Sequence, residues 1–179
     1  MKRNLSIGPS PVAQVGSPVL STVVDVGTVE GEQAAFRAFV DEVEPRLRRA
    51  FTLLRGADGG ADATAEALAW AWEHWAEVQE MGNPAGYLFR VGSSRTRRPR
   101  PRFAPPPVPP DAVGFEPGLV PVLARLSVRQ RTAVVLIHGC GWTHQEVADA
   151  LDVSRSSVGT HVERAMRGLR KELGVEADA

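Results

Sequence analysis

Residues 143–173, THQEVADALDVSRSSVGTHVERAMRGLRKEL, decide the fold, because local rules predict a helix, a short turn and a second helix within them. Thr143 is followed three residues later by Glu146, which is the pattern of a capping box, so a helix is expected to begin there. Asp152 interrupts that helix, and Ser154 is a favourable N-cap for the next one. The stretch therefore predicts a helix-turn-helix. Its turn is the least typical part, because Asp152 stands where such turns often contain glycine.

The second helix of this stretch is amphipathic. Its apolar residues recur at helical spacing along one face: Val158, Val162, Ala165, Met166 and Leu169. The opposite face carries hydroxyls and cations: Ser156, Ser157, Thr160, Arg164 and Arg167. Such hydroxyls contact phosphates or base edges, and an arginine forms bidentate hydrogen bonds with guanine. The pattern favours a helix that reads the major groove of DNA, although an ordinary surface helix with a solvated polar face has the same spacing.

Composition sets limits on the rest of the chain. A length of 179 residues permits one domain or two small ones. The formal net charge is zero, but residues 30–80 contain 11 acidic and 5 basic residues, whereas residues 81–179 contain 14 basic and 9 acidic ones. The chain is therefore polarised, with its basic part downstream. The single cysteine, Cys140, excludes an internal disulfide and a multi-thiolate metal site, and no apolar run approaches the ~20 residues that span a bilayer.

Residues 1–30 are predicted to be a disordered leader, because they mix Gly, Pro, Ser and Val without a helical or alternating period. Lys2 and Arg3 resemble the start of a signal peptide, but prolines and glycines interrupt the apolar segment that such a peptide requires. An incorrectly assigned start codon is an alternative explanation of this stretch.

Three helices are predicted upstream of the middle of the chain. The first covers residues 32–56, with Pro45 expected to kink or split it. The second covers residues 62–78. The third begins with Asn83 as N-cap and Pro84 at the first helical position, and it ends before the proline-rich stretch that follows.

The second of these helices contains three tryptophans within six residues. Leu68, Ala71, Trp72 and Trp75 form its expected apolar stripe, and Trp70 lies off that stripe. Two interpretations stay open: Trp70 is half exposed without a function, or it belongs with Glu66 and Glu73 to a surface that binds a partner.

The third helix ends in a basic cluster. Six arginines lie within thirteen residues: Arg90, Arg95, Arg97, Arg98, Arg100 and Arg102. They are candidates for phosphate contacts, with a merely solvated face as the alternative. Residues 99–110 then contain seven prolines and predict a stiff, extended connector between two domains.

After the connector, a short helix is predicted at residues 119–126, and Ser127 is the expected N-cap of another that ends at Gly139. These helices are expected to pack beneath the helix-turn-helix. Trp142 is assigned to that core rather than to DNA contact. The resulting C-terminal domain of about 60 residues is marginal for independent stability.

The whole pattern is similar to a known family. DATAEALAWAWEHW at residues 62–75, NPAGYLFRVGSSRTRR at residues 83–98, a flexible spacer, and the stretch from Leu126 to Arg170 resemble the two-domain, extracytoplasmic-function (ECF) group of the bacterial sigma-70 family. The resemblance implies an all-α fold with two small helical domains, a region 2-like bundle at residues 31–98 and a region 4-like helix-turn-helix at residues 117–173. A proline-rich linker at residues 99–116 joins them, and residues 174–179 form a tail.

The resemblance also implies a function, a sigma factor that directs RNA polymerase to promoters. It assigns the −35 element to the second helix of the helix-turn-helix, through Arg155, Ser156, Ser157, Thr160, His161, Arg164 and Arg167. It assigns the −10 element, including a base flipped out of the non-template strand, to Glu80, Met81, Gly82, Asn83, Arg90, Arg95, Arg97 and Arg98. It assigns the contact with core polymerase to Asp62, Glu66, Trp70 and Glu73.

The partners implied by the resemblance are core RNA polymerase, promoter DNA and an anti-sigma factor, in the cytoplasm and without a membrane segment, a metal or a cofactor. Two positions depart from the family pattern. Ala65 stands where members often have glutamine, and Gly159 stands where many have a lysine in the recognition helix.

Two other classes of function compete with this one. A stand-alone helix-turn-helix regulator, with the N-terminal helices as a sensor or dimerisation module, has the same DNA-reading element. An enzyme has little support, because the four histidines are scattered and neither a zinc-protease motif nor a glycine-rich phosphate loop is present.

Overall fold

A computed structural model of the chain describes residues 26–96, 103, 105 and 118–174. Within these residues every regular element is helical, which confirms the all-α prediction. Most of the predicted leader, linker and tail lies outside the described residues. In chain order the elements are α1 (Val26–Glu73), α2 (Trp75–Gln79), α3 (Pro84–Arg95), α4 (Leu119–Arg125), α5 (Val128–Val134) with a π-helical continuation (Val135–Gly139), α6 (His144–Leu151) and α7 (Arg155–Leu173).

The long helix α1 consists of two arms, residues 26–55 and 57–73, separated at Gly56. Gly56 has φ 78° and ψ 175°, a region that only glycine enters at low cost, so the predicted helix end at this position is confirmed. The prediction that Pro45 splits the helix is wrong, because Gly56 is the residue of α1 with non-helical dihedral angles. Proline is usually unfavourable inside a helix, because it has no N–H and its ring meets the carbonyl of residue i−4, yet Pro45 lies within the first arm.

The starts of α3 and α5 follow the sequence signals closely. Asn83 caps α3 by accepting a hydrogen bond from the backbone N–H of Gly86 at 3.1 Å. Ser127 caps α5 in a reciprocal capping box, in which the backbone N–H of Gln130 donates to its hydroxyl at 3.3 Å. The π-helical turn after α5 is not indicated by the sequence, but the predicted end at Gly139 is correct.

One apolar cluster joins the helices on both sides of the linker. Phe51 of α1 stacks on Phe89 of α3 with ring centroids 4.7 Å apart, and Phe89 meets the edge of Trp142 at 5.7 Å. Val147 of α6 and Val158 of α7 are fully buried in the same cluster. Trp142 is 3 % exposed, as expected for a core residue. The helix-turn-helix therefore packs on the N-terminal helices as well as on its own supporting helices.

A second, smaller cluster lies between α4, α5 and α7, around Val122, Leu123 and Leu169. Phe103, from the predicted linker, packs against this cluster, and the guanidinium of Arg131 lies 4.8 Å from its ring. No helix in the described part of the chain is long and apolar enough to cross a membrane.

Candidate nucleic-acid interface

The helix-turn-helix has the predicted local geometry. Thr143 and Glu146 form the capping box of α6, with the backbone N–H of Glu146 donating to the Thr143 hydroxyl at 3.2 Å. Asp152 ends α6 in the left-handed region, φ 54° and ψ 53°. Aspartate is among the few residues that enter this region readily, which explains how the turn forms without glycine. Ser154 then caps α7 by accepting from the backbone N–H of Ser157 at 3.2 Å.

Helix α7 buries its apolar stripe and exposes its polar face. Val158 and Ala165 are fully buried, and Leu169 is 5 % exposed. Most predicted −35 residues are exposed: Arg155, Ser156, Thr160, Arg164 and Arg167. Ser157 and His161 are half-buried. With respect to the other described residues, the three arginines form no ion pair, so their guanidinium groups are free to meet an external anion.

The start of α7 holds a cluster of hydroxyls. The Ser154 hydroxyl oxygen lies 3.0 Å from that of Ser156 and 2.8 Å from that of Ser157. One turn on, the Thr160 hydroxyl donates to the backbone carbonyl of Ser156 at 3.2 Å. These groups stand where the helix dipole favours negative charge, which suits contact with a phosphate or with acceptor groups on a base edge.

The residues assigned to the −10 element lie at the start of α3 and in the loop before it, residues 80–83, called here the −10 loop. Glu80 and Gly82 are exposed and Met81 is half-buried. Asn83 has a second contact besides its cap, because its side-chain amide donates to a carboxylate oxygen of Asp149 on α6 at 2.7 Å. The loop is therefore connected to the helix-turn-helix.

Further along α3, Arg90 lies with its guanidinium 4.8 Å from the centre of the Tyr87 ring. The same guanidinium forms an ion pair with Asp152 of the helix-turn-helix at 3.0 Å. Arg95 is exposed at the end of α3, whereas the predicted contacts at Arg97 and Arg98 lie outside the described residues.

A groove of about 350 Å³ lies between the −10 loop with α3 and the helix-turn-helix. The −10 loop and α3 form one wall, and the end of α6 with the following turn forms the other. Five of the lining residues have polar side-chain groups: Asn83, Tyr87, Arg90, Asp149 and Asp152.

A third polar contact joins the N-terminal helices to the helix-turn-helix, this time from α1 to α6. Arg46 of α1 forms an ion pair with Glu146 of α6, and its guanidinium lies 5.4 Å from the centre of the Trp142 ring. Partial burial raises the pKa of Glu146, but hydrogen bonds from Arg46 and from the backbone and side chain of Thr143 outweigh it and hold that pKa below its ordinary value. Glu146, Asp149 and Asp152 together form the acidic face of the helix-turn-helix.

Sequence reasoning does not identify the acidic face or Arg46, because no local pattern shows that residues 62 to 100 positions apart will meet. The capping-box role of Glu146 is predictable, but its bond to Arg46 is not.

The surface assigned to polymerase contact needs one correction. Glu66 and Glu73 are exposed, and so is Asp62. Trp70, however, is 8 % exposed, so the expectation that it is half exposed is wrong. It stacks on His74 at 4.1 Å between ring centroids and packs against Tyr87 at 5.0 Å.

Trp72, expected in the core, is instead 50 % exposed and contacts Phe36 edge-on at 4.8 Å. The buried stripe of this arm follows the small residues Ala63, Ala67 and Ala71, beside which Trp70 falls. Their helical spacing is the signal that would have placed the tryptophans correctly, because small residues permit close helix packing.

Comparisons with known proteins agree with this geometry. Residues 121–169 match the family model for Sigma-70, region 4. The chain is 28% identical over 170 residues to the ECF RNA polymerase sigma factor SigL of three Mycobacterium tuberculosis strains, covering 83% of this chain and 96% of SigL.

Two solved structures share the fold. One is the sigma factor RpoE of Bartonella quintana in complex with the anti-sigma factor NepR, with a TM-score of 0.62 and 23% identity over 80% of this chain and 99% of that one. The other is CnrH in complex with the cytosolic domain of CnrY, with a TM-score of 0.57 and 22% identity over 85% of this chain and 96% of that one.

Proposed function

We propose that the chain is an RNA polymerase sigma factor of the ECF group of the sigma-70 family and that it reads a promoter at two places. In this proposal α7 enters the major groove of the −35 element, and the −10 loop with α3 holds the opened −10 element. The observation that carries the proposal is the polar face of α7, which is exposed along the helix while the apolar face is buried.

The −35 contact rests on residue chemistry. Arg164 and Arg167 lie one turn apart on the exposed face and suit bidentate contact with guanine. The hydroxyls of Ser156 and Thr160 suit the phosphates at the edge of the groove. Ser157, His161 and Arg155 complete the proposed surface.

The −10 contact rests on the loop and on α3. Met81 and Tyr87 supply apolar and aromatic surface beside Asn83, which suits a nucleobase that has left the stack. In this proposal Arg90 and Arg95 of α3 contact phosphates of the single strand, and Arg97 and Arg98 continue these contacts. Glu80 and Gly82 belong to the same loop.

The contact with core polymerase is proposed for the second arm of α1. Asp62, Glu66 and Glu73 give this arm an acidic exposed surface. The buried Trp70 is unsuited to a direct contact, and Trp72 replaces it as the exposed aromatic residue of the proposed surface.

The division into two domains also remains a proposal, with boundaries at residues 31–98 and 117–173 and a linker between them. RpoE is seen in complex with the anti-sigma factor NepR, and CnrH in complex with the cytosolic domain of CnrY. We therefore propose an anti-sigma factor as a partner of this chain and the cytoplasm, where polymerase acts, as its location.

A reconstitution with purified components tests the proposal. The chain is mixed with core polymerase and a genomic promoter library, and the transcripts are sequenced. Initiation at a shared sequence pattern that requires both the chain and the core is the expected result. Tight, sequence-specific duplex binding by the chain alone, with no effect on polymerase, would instead support a stand-alone regulator.

A further inference from the structure

Arg55, the last residue of the first arm of α1, holds the end of α3. Its guanidinium donates to the Thr96 hydroxyl and, at 3.2 Å, to the backbone carbonyl of Ser93. The Thr96 hydroxyl in turn donates to the backbone carbonyl of Gly92 at 2.7 Å. The last carbonyls of a helix have no partner within it, so these two side chains satisfy groups that would otherwise bond to water or to neighbouring cations.

Arg55 is itself held in place by its surroundings. Its guanidinium lies 5.4 Å from the centre of the Phe51 ring, and the residue is half-buried. Burial lowers the pKa of Arg55, but an arginine keeps its charge at neutral pH. The end of α3 packs closely beside it, because a Cβ on Gly92 would lie 2.8 Å from an atom of the Phe51 ring. A fixed positive charge therefore stands at the C-terminus of α3, where the helix dipole favours a cation.

The same contacts leave Arg95 available. Arg95 lies in the last turn of α3 and is exposed. An arginine at such a position often bonds to the carbonyls at the end of its own helix. Because Arg55 and Thr96 already bond to carbonyls there, the guanidinium of Arg95 is left for an external anion.

We propose that Arg55 is a positioning residue for the −10 strand, which fixes the end of α3 so that Arg95 contacts a phosphate. This inference rests on the proposed −10 contact and adds to it a residue that does not itself touch the DNA. Two alternatives predict different results. If Arg55 contacts a phosphate directly, its charge matters and the Thr96 hydroxyl does not. If Arg55 only stabilises the fold, its loss changes the free energy of unfolding but not the salt dependence of DNA binding.

The first experiment needs no DNA and measures whether Arg55 and Thr96 hold the helix end. Trypsin cleaves the bond between Arg95 and Thr96 when the chain around it opens locally. Thr96→Val keeps the shape and every charge but removes the hydroxyl, and it is expected to speed this cleavage about three- to tenfold, as for the loss of one hydrogen bond. Ser94→Ala is the matched control, because the Ser94 hydroxyl donates to the backbone carbonyl of Val91 and not to the Arg55 cluster. Equal cleavage rates for the two variants would overturn the proposal.

The second experiment measures how salt affects the binding of the chain, together with core polymerase, to a promoter fragment whose −10 non-template strand is single. The promoter comes from the reconstitution described above. The slope of log affinity against log salt concentration counts phosphate contacts, at about 0.7 for each one on a single strand. Thr96→Val and Arg55→Lys are both expected to lower this slope by about 0.7 and the affinity about three- to fivefold, because lysine keeps the charge but lacks the planar fork that reaches both acceptors. Thr96→Ser restores the hydroxyl and is expected to restore both values.

Two further variants complete this experiment. Arg37→Gln removes an exposed charge from the same arm of α1 and is expected to leave the slope unchanged. Arg95→Gln is expected to lower the slope as much as Thr96→Val does, and the double variant no further, because both changes remove the same contact. If circular dichroism shows that Arg55→Lys does not fold, the comparison of Thr96→Val with Thr96→Ser decides.

The outcomes separate this inference from the proposed function. An unchanged slope for Thr96→Val, in a preparation whose wild type binds the fragment, would overturn the positioning role and leave the promoter function intact. Additive losses in the double variant of Arg95 and Thr96 would also overturn it. Failure of the wild-type complex to bind the fragment would reject the proposed −10 contact and this inference together.

Discussion

The recognition helix α7 and the −10 loop with α3 are both predicted to bind DNA, but they differ in whether their polar side chains are bonded to other parts of the chain. The arginines of α7 are exposed and make no ion pair with described residues, whereas Asn83 and Arg90 are bonded to Asp149 and Asp152. The difference teaches that a sequence pattern indicates where a nucleic-acid surface lies, while contacts distant in sequence determine whether that surface is accessible.

The largest expected effect concerns the core that holds the two regions together. Trp142 is 3 % exposed and contacts Phe89 of α3. Trp142→Ala is expected to lower the free energy of unfolding by about 3–5 kcal/mol, the usual cost of truncating a buried aromatic residue. Urea unfolding followed by circular dichroism measures the loss.

Trp72→Ala is the matched control, because Trp72 is 50 % exposed. It is expected to cost clearly less than the change at Trp142. Equal costs for the two tryptophans would contradict a core shared between the regions.

The second prediction concerns the open surface. Arg164→Ala is expected to reduce discrimination at one or two base pairs of the −35 element by about 1–3 kcal/mol, as for loss of a bidentate base contact. Competition between promoter variants for the polymerase complex measures this discrimination. Arg129→Ala removes an exposed arginine from α5 and serves as the control. A uniform loss over all sequences would mean that Arg164 contacts only phosphate.

Elements governed by neighbouring residues are predictable from this sequence. The caps at Asn83, Ser127 and Ser154 are all present, because each needs only a side chain and a backbone N–H a few residues away. The helix end at Gly56 is predictable for the same reason.

The tryptophan assignments fail because burial depends on which helix face meets a neighbour. Large apolar residues suggest a stripe through Trp72, but close packing selects the alanines and therefore Trp70. Local sequence rules cannot predict the contacts of the acidic face, because Asn83 and Asp149 are 66 positions apart.

The third prediction concerns the effect of Gly159 in α7 on the free energy of unfolding. Gly159 lies in α7, and a Cβ built there has no neighbour within 4 Å. Gly159→Ala is expected to raise the free energy of unfolding by about 0.5–1 kcal/mol, because alanine loses less backbone freedom in a helix. The measurement is again urea unfolding.

Gly174→Ala supplies the opposite case at the end of the same helix. Gly174 has φ 68°, and a side chain in this left-handed region costs about 1 kcal/mol. Stabilisation by both changes, or by neither, would contradict the different backbone demands at the two positions.

The smallest expected effect concerns the pH dependence of stability that arises from the ion pair between Arg46 and Glu146. The pKa of Glu146 is raised by burial but lowered overall by its bonds to Arg46 and Thr143. A carboxylate whose folded pKa lies below its unfolded pKa stabilises the fold at pH values above the unfolded pKa, and this contribution disappears as the pH falls through the folded pKa.

Glu146→Gln preserves the capping box, because glutamine also serves at that position, and it removes the titrating group. The melting temperature of this variant is therefore expected to fall less steeply than that of wild type between about pH 6 and pH 3. Glu42→Gln, which removes one exposed charge from α1, controls for net charge. Identical slopes for Glu146→Gln and wild type would show that the ion pair with Arg46 does not help to hold the helix-turn-helix against the N-terminal helices.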